Sequence, residues 1–246
     1  MASVVSQPGG VKIVVLCGGR GSRLRPLTDL VPKPLVEMNG KPILHHLLQS
    51  YIRNGYSDFV LCVGYRGDMI REFVEDGDFD AEITVSDAGD DASMLQRLHG
   101  ARDQMPERIA VAYGDTLIAV DMDAMLEEHI ASGASITITV ANVRSPFGLV
   151  DFSQDGLVAS FEEKPLQWFY VGHMIVERRV LDELDPALLA MPDGEGLVAL
   201  FQRLITQRKL RTHSYVGPQI TFNTRHELAQ AERDFNAFFT HEEESR

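Results

Sequence analysis

The chain has 246 residues, 44% hydrophobic and 24% charged, ordinary values for a globular protein with a sizeable core. Its net charge of −13 repels nucleic acid and anionic lipid, so bulk binding to either is excluded. A phosphorylated small molecule fits only where the local charge is reversed or a metal intervenes. Its two cysteines, Cys17 and Cys62, lie in or at the end of apolar runs. Such positions suit small buried side chains and suggest neither a disulfide framework nor a metal ligand set.

Residues 1–10, "MASVVSQPGG", have no basic n-region and no long apolar h-region. They read as a loose tail and not as a signal peptide. No apolar stretch approaches the roughly 20 residues needed to span a bilayer, so a cytoplasmic protein is expected. "VKIVVLC" is a β-branched apolar run ended by glycines, the pattern of a parallel strand covered on both faces. In "KPILHHLLQSYIRNG", residues Ile43, Leu47, Leu48, Tyr51 and Ile52 recur at helical spacing, and Gly55 sits where a helix stop belongs. Strands "DFVLCVGY", "AEITVSD" and "RIAVAYGD" then alternate with helices "GDMIREFVED" and "ASMLQRLHGARDQM".

The second half is less regular. "MDAMLEEHIASG", "GLVALFQRLITQRK" and "RHELAQAERDFNAFF" read as helices. "SITITVANV", "GLVDFS", "LVASFEEK", "YVGHMIVE", "RTHSYV" and "QITFN" read as strands that extend the same sheet. The order predicts an α/β fold with a Rossmann-like, doubly wound, mixed but mostly parallel sheet. Residues 11–240 form a single domain with two lobes around a cleft, and residues 241–246 are a frayed end. Ligands on such sheets bind at the carboxyl ends of the strands, where the first glycine loop and "YGDT" both lie.

The loop "GGRGSRLRPLT" lets the backbone approach a ligand, because Gly18, Gly19 and Gly21 carry no Cβ. Successive N–H groups in such a turn cradle an anion. Arg23 adds a planar fork of donors, and Lys33 is held between Pro32 and Pro34 on a stiff support. Together they suit a polyphosphate. A P-loop is absent, and the dinucleotide fingerprint fails because Leu24 stands at its third glycine.

The string G-G-x-G-[ST]-R-L-x-P-L-T followed by P-K-P resembles the signature of the sugar-phosphate nucleotidylyltransferases. The resemblance implies that Leu16, Gly18, Gly19, Gly21, Ser22, Arg23, Lys33 and Gly114 hold a nucleoside triphosphate. Arg23 would contact the departing pyrophosphate, and Lys33 the phosphate that reacts. Asp115, in "YGDT", would hold Mg²⁺, for which a carboxylate at a strand's carboxyl end is suited. Asp121 and Asp123 fit helix caps better. "SPFG" and "FEEKP" imply an acceptor side made of Gly148, Glu163 and Lys164, with Lys164 on the acceptor's phosphate. "SMLQRLHGA" stands where cytidylyltransferases of the family carry a base-binding segment, and Arg97 would match its arginine. "GYRGDMI" and "YGDTLIAVD" look closest to that branch, so CTP is favoured.

Two departures stand out. "FYVGHMIV" puts Tyr170 where the family has the Asn that touches the sugar, while keeping Gly172; both are expected at the acceptor, in a pocket that the aromatic ring narrows. "QITFNTRHEL" offers Thr221 or Asn223 in place of a second metal aspartate, and a neutral amide is the poorer Mg²⁺ ligand. The expected enzyme joins a nucleoside triphosphate to a sugar 1-phosphate with Arg23, Lys33, Asp115 and Lys164 as its catalytic residues and Mg²⁺ as its cofactor. A non-sugar phosphate or phosphonate acceptor, and a weakly catalytic nucleotide-binding regulator, are the alternatives. No nucleic acid or membrane partner is expected, and a homo-oligomer stays open. Of the remaining rings, His45 and His46 are read as one packed and one solvated. His173 is divided between cleft and core, and Trp168 with Phe169 between acceptor pocket and sheet cover.

Overall fold

The structure is a computed structural model that describes residues 11–244; the tail 1–10 and residues 245–246 lie outside the described residues. β1 (Lys12–Leu16) is followed by three single 3₁₀ turns at Ser22–Leu24, Leu27–Asp29 and Lys33–Leu35, and by the small hairpin of β2 (Glu37–Met38) and β3 (Lys41–Pro42). Next come α1 (Ile43–Arg53), β4 (Asp58–Val63), α2 (Gly67–Glu75), β5 (Glu82–Asp87), α3 (Met94–Ala101) and β6 (Arg108–Tyr113). β7 (Thr116–Ile118), α4 (Met122–Ser132), β8 (Ile136–Arg144), β9 (Leu149–Phe152), β10 (Val158–Glu162) and β11 (Leu166–Glu177) follow. The chain closes with α5 (Arg179–Asp182), α6 (Pro186–Leu189), α7 (Glu195–Thr206), β12 (Leu210–Tyr215), β13 (Gln219–Thr221) and α8 (Arg225–Glu244).

Seven strands form the central sheet in the order β12-β8-β11-β6-β1-β4-β5. β11 is antiparallel to both its neighbours, and the other pairings are parallel. The sheet therefore draws strands from both halves of the chain, as the expected mixed, mostly parallel fold requires. β1 is buried on both faces. Ile13 and Val15 pack with Leu44, Ile70 and Met125 on one side, while Val14 packs with Leu95, Leu98 and Leu200 on the other. α1 buries Ile43, Leu47, Leu48 and Tyr51 as its spacing predicts, and Leu44 besides, while Ile52 is only half-buried; each leucine contributes about 2 kcal/mol through apolar burial.

Several expectations change. The two strands at 149–162 do not extend the sheet; they form a separate β9–β10 hairpin. β13 pairs with β7 instead, placing Thr221 opposite Thr116. The third helix stops at Ala101 and passes into a 3₁₀ turn at Arg102–Gln104. The closing helix is continuous to Glu244, beyond the expected boundary at 240. His45 and His46 are both half-buried: His45 lies against Phe79 at 5.6 Å and His46 against Phe235 at 4.6 Å. Asp121 caps α4 as expected, accepting from the Ala124 N–H at 2.9 Å.

His173, on β11, is a core residue. Its ring stacks on Tyr51 at 6.5 Å, and its Nε2 makes no hydrogen bond among the described residues. Burial pulls its pKa down to about 4, below the ordinary histidine value of about 6.5. As the pH falls below that ordinary value the unfolded chain takes up the proton first, so stability present at neutral pH is lost toward pH 4. Between pH 7 and pH 5 the wild type should lose about 2 kcal/mol more than His173→Phe. Urea midpoints of the two proteins at both pH values measure this, and parallel profiles would refute it.

Candidate active site

The carboxyl end of β1 is pinned to its neighbours. The Cys17 N–H donates to the Cys62 carbonyl at 2.8 Å and the Gly114 N–H to the Leu16 carbonyl at 3.0 Å. A Cβ on Gly114 would lie 2.8 Å from Cys17 Sγ, so only glycine lets β1 and β6 end this close together. Burial raises the Cys17 thiol well above its usual range and pushes Cys62 up to about 12. Both stay protonated and neither is a nucleophile. The glycine loop then turns through Gly21, whose φ of 58° is left-handed. The Thr28 hydroxyl donates to its carbonyl at 2.9 Å.

The 3₁₀ turn after Pro32 delivers Lys33 inward. Its Nζ donates to Asp115 Oδ2 at 2.5 Å and to Asn223 Oδ1 at 3.1 Å, and lies 5.7 Å from the centre of the buried Phe222 ring. The β7–β13 ladder explains the meeting: pairing Thr221 with Thr116 brings Asn223 beside Asp115. Gly19, Gly21, Arg23, Leu24, Lys33, Asp115 and Asn223 line one cavity of about 180 Å³. Arg23 is exposed at this cavity, and Ser22 is exposed on the turn beside it. Two oxygen donors, one anionic, converge on a point already taken by a cation. That donor set suits Mg²⁺, which binds through one or two protein oxygens and fills its shell with water and phosphate.

Arg97 takes a different place from the one expected. Ser93 and Gln96 form a capping box that starts α3, and this aims Arg97 beneath the glycine loop. Arg97 is 3% exposed. Its Nη2 donates to the carbonyls of Gly18 at 3.0 Å and Asp90 at 3.3 Å. A Cβ on Gly18 would stand 2.1 Å from Arg97 Nε, and one on Gly64 2.6 Å from its Nη2. The segment thus supports the loop from below and presents no guanidinium to the cavity. Burial lowers the Arg97 pKa, yet a guanidinium stays charged throughout the physiological range.

The acceptor-side residues lie elsewhere. β11 runs antiparallel to β6, with His173 opposite Ala112, so Leu166–Val171 overhang the carboxyl edge of the sheet. Glu163 and Lys164 stand at the tip of that overhang, exposed, with 4.0 Å between their charges. The Lys164 carbonyl accepts from Arg144 at 3.1 Å. Gly148 faces the Phe161 ring, which a Cβ there would approach to 2.8 Å. None of the three lines the cavity around Lys33. Gly172, at φ 80°, marks the bulge between Tyr170 and Met174, and a Cβ there would meet the Tyr113 ring at 3.0 Å. Trp168 and Phe169 are both largely exposed, so neither buries itself as cover for the sheet.

The family model described as nucleotidyl transferase matches residues 12–180. A glucose-1-phosphate cytidylyltransferase of Salmonella typhi is 34% identical, covering 71% of this chain and 78% of its own. The chain belongs to the sugar-phosphate nucleotidylyltransferase family. A probable glucose-1-phosphate cytidylyltransferase of Bacillus subtilis is 27% identical over 92% of this chain and 96% of its own. A putative glucose-1-phosphate thymidylyltransferase of Bacillus anthracis, solved with sucrose, shares the fold at TM-score 0.72 and 20% identity, over 91% of this chain and 94% of that one.

As a nucleotidylyltransferase, the chain departs from its family motif at Tyr170, and the structure shows what fills the space. The Tyr170 ring is edge-on to Tyr113 at 5.9 Å and to Phe201 at 5.8 Å. Its hydroxyl is buried beside Tyr113, and burial raises its pKa well above the usual phenol range. The aromatic ring therefore packs into the wall below the overhang. Two site features had no sequence signal. Phe222 lies under the Lys33 ammonium, and Arg20 pairs with Asp91 at 2.8 Å and lies 5.2 Å from the Tyr65 ring. The Arg20 pair fastens the glycine loop to the segment after β5, and its partners are 71 residues apart. Among the described residues, no helix is long and apolar enough to cross a membrane.

Proposed function

We propose that this enzyme transfers the nucleotidyl group of a nucleoside triphosphate, CTP before the others, to the phosphate of a sugar 1-phosphate. An acceptor phosphate oxygen forms a bond to the α-phosphorus. The bond from that phosphorus to the β-phosphate's bridging oxygen breaks, and pyrophosphate leaves with the electron pair. The attacking oxygen is already ionised near neutral pH, so no proton need move. The observation that carries this reading is the Lys33 ammonium held between Asp115 and Asn223, in one cavity with Gly19, Gly21 and Arg23. The cytidylyltransferase names of two relatives support CTP.

The residues divide the work by charge. The glycine-loop N–H groups and Arg23 cradle the β- and γ-phosphates and stabilise the charge that grows on pyrophosphate. Lys33 turns from Asp115 to the α-phosphate, neutralising it against an anionic nucleophile. Asp115 and Asn223 would hold Mg²⁺, which supplies charge neutralisation on the triphosphate. Glu163 and Lys164, on the overhang, hold the acceptor's hydroxyl and phosphate. Catalysis is positioning plus fixed charge.

A matrix of five triphosphates against sugar 1-phosphates, a phosphonate and an alkyl phosphate, read as pyrophosphate release with Mg²⁺, tests the proposal. The non-sugar acceptors belong in it because Tyr170 occupies the family's Asn position. Lys164→Ala should raise the acceptor KM with the triphosphate KM little changed. Arg23→Ala should do the reverse, or cut kcat by roughly tenfold to a thousandfold. No pyrophosphate from any pair, or near-wild-type kinetics in both variants, would sink the assignment.

A further inference from the structure

The cavity around Lys33 lies at the carboxyl ends of β1 and β6, and the acceptor residues stand beyond it, next to β11. On the other side of β1 the sheet continues with β4 and β5. Phosphates and acceptor therefore take one half of the carboxyl edge, and the half above β4 and β5 is left for the nucleoside. Arg97 lies buried beneath the loop and shows that space no guanidinium. Arg20 and Asp91 are the charged pair that reaches across it. Arg20 stands on the glycine loop between Gly19 and Gly21, and Asp91 on the turn that follows β5. Arg20 Nη2 donates to Asp91 Oδ1 at 2.8 Å, and the two side chains remain 51% and 92% exposed.

Both halves of the pair stand on braced supports. The Arg20 guanidinium lies 5.2 Å from the centre of the Tyr65 ring, a favourable place for a planar cation. Tyr65 is itself tied at both ends. Its N–H donates to the Gly18 carbonyl at 3.2 Å. Its hydroxyl donates to the Thr28 carbonyl at 3.1 Å and accepts from Arg66 Nε at 3.1 Å. On the other side, the Gly89 N–H donates to Asp87 Oδ1 at 2.8 Å, and Arg97 Nη2 holds the Asp90 carbonyl at 3.3 Å. The turn that carries Asp91 is thus shaped before any ligand arrives. An exposed ion pair stabilises a fold little, so this one can open to a ligand at small cost.

We propose that Arg20 and Asp91 together read the base of the triphosphate and select cytosine against uracil and thymine. The inference rests on the proposed function only for the triphosphate's place on the glycine loop. A guanidinium only donates, and an ionised carboxylate only accepts. Joined by one contact, they present donors and an acceptor side by side. Cytosine offers the matching order along its pairing edge: O2 and N3 accept, and the N4 amine donates to a carboxylate. Uracil and thymine invert it. Their N3–H would face the guanidinium, and their O4 would face the carboxylate. Each would leave a polar group of the site without its partner, which is how a hydrogen-bonding site rejects a ligand of the same size.

Calorimetry of CTP and UTP with Mg²⁺ and no acceptor tests the reading. The wild type should bind CTP about tenfold or more tighter than UTP. Asp91→Asn should bring the two affinities together, because a side-chain amide can turn its NH₂ toward O4. Arg20→Met should weaken CTP and also shrink the ratio. Arg23→Ala, a change on the phosphates alone, should weaken both nucleotides and keep the ratio. The ratio is taken within each protein, so it does not depend on how much of a variant is folded. A wild type that binds UTP as well as CTP overturns the reading. So does loss of affinity for both nucleotides alike in Asp91→Asn and Arg20→Met, the result if the pair only fastens the loop. The proposed transfer fails separately: no pyrophosphate from any acceptor, with the CTP preference present and lost in Asp91→Asn, would sink that reaction and uphold the base reading.

Discussion

Lys33→Met should lower kcat by about a hundredfold to a thousandfold, the cost of removing one preorganised charge from an acyl- or phosphoryl-transfer site. The reason is geometric: this ammonium is the cation that the cavity already holds, 8% exposed and in contact with both Asp115 and Asn223. The same substitution should have an opposite effect on metal. With the ammonium gone, Asp115 loses the partner that neutralises it, and a divalent cation no longer competes with a tethered one. Mn²⁺ titrated into the nucleotide-free protein, read by its electron paramagnetic resonance signal, should bind Lys33→Met more tightly than the wild type. Asn223→Asp should also tighten it, because a second carboxylate replaces a neutral amide. If kcat fell but Mn²⁺ bound all three proteins alike, Asp115 and Asn223 would not be the metal ligands.

Arg97→Ala should cost about 3–5 kcal/mol of stability, since it empties a buried site and leaves the Gly18 carbonyl with one donor fewer. It should also raise the triphosphate KM by tenfold or more. The Gly18 carbonyl is held by the Tyr65 N–H at 3.2 Å and Arg97 Nη2 at 3.0 Å. Releasing one of them lets the loop turn its N–H groups away from the phosphates, and misplacement of about 1 Å can cost a hundredfold. Arg97→Lys keeps the charge but not the planar guanidinium that fills the space left by Gly18 and Gly64, so it should recover little. Thermal unfolding and initial-rate kinetics on the two variants check this. A stable Arg97→Ala with an unchanged triphosphate KM would show that the loop needs no support from α3.

Most of the architecture was legible because its signals are local. "KIVVL" before two glycines can only be a covered strand, and the helical spacing in α1 marks the residues that its core takes. The glycine loop, Lys33 between prolines, and Asp115 at a strand end were legible for the same reason: a turn and a strand end are decided by a few neighbouring residues. Reading stopped where a side chain's direction depends on docking. Arg97 resembled a ligand contact by its place in the chain. Its role became visible only once α3 was set against β1 and the glycines at 18 and 64 were seen to leave room for it. The hairpin's separation from the sheet could not be read either, because alternating strands look alike whether they join a sheet or leave it.

The sequence alone settled the elements, the phosphate-suited loop and the family, since backbone sterics, hydrophobic period and motif act within a few residues. Only the tertiary structure decided that Lys33 meets Asp115 across 82 positions and Asn223 across 190, that Arg97 lies beneath the loop, and that Lys164 stands apart on an exposed hairpin. Those facts depend on strand register and helix docking, and these are fixed by the burial of whole faces, which no short stretch of chain encodes by itself.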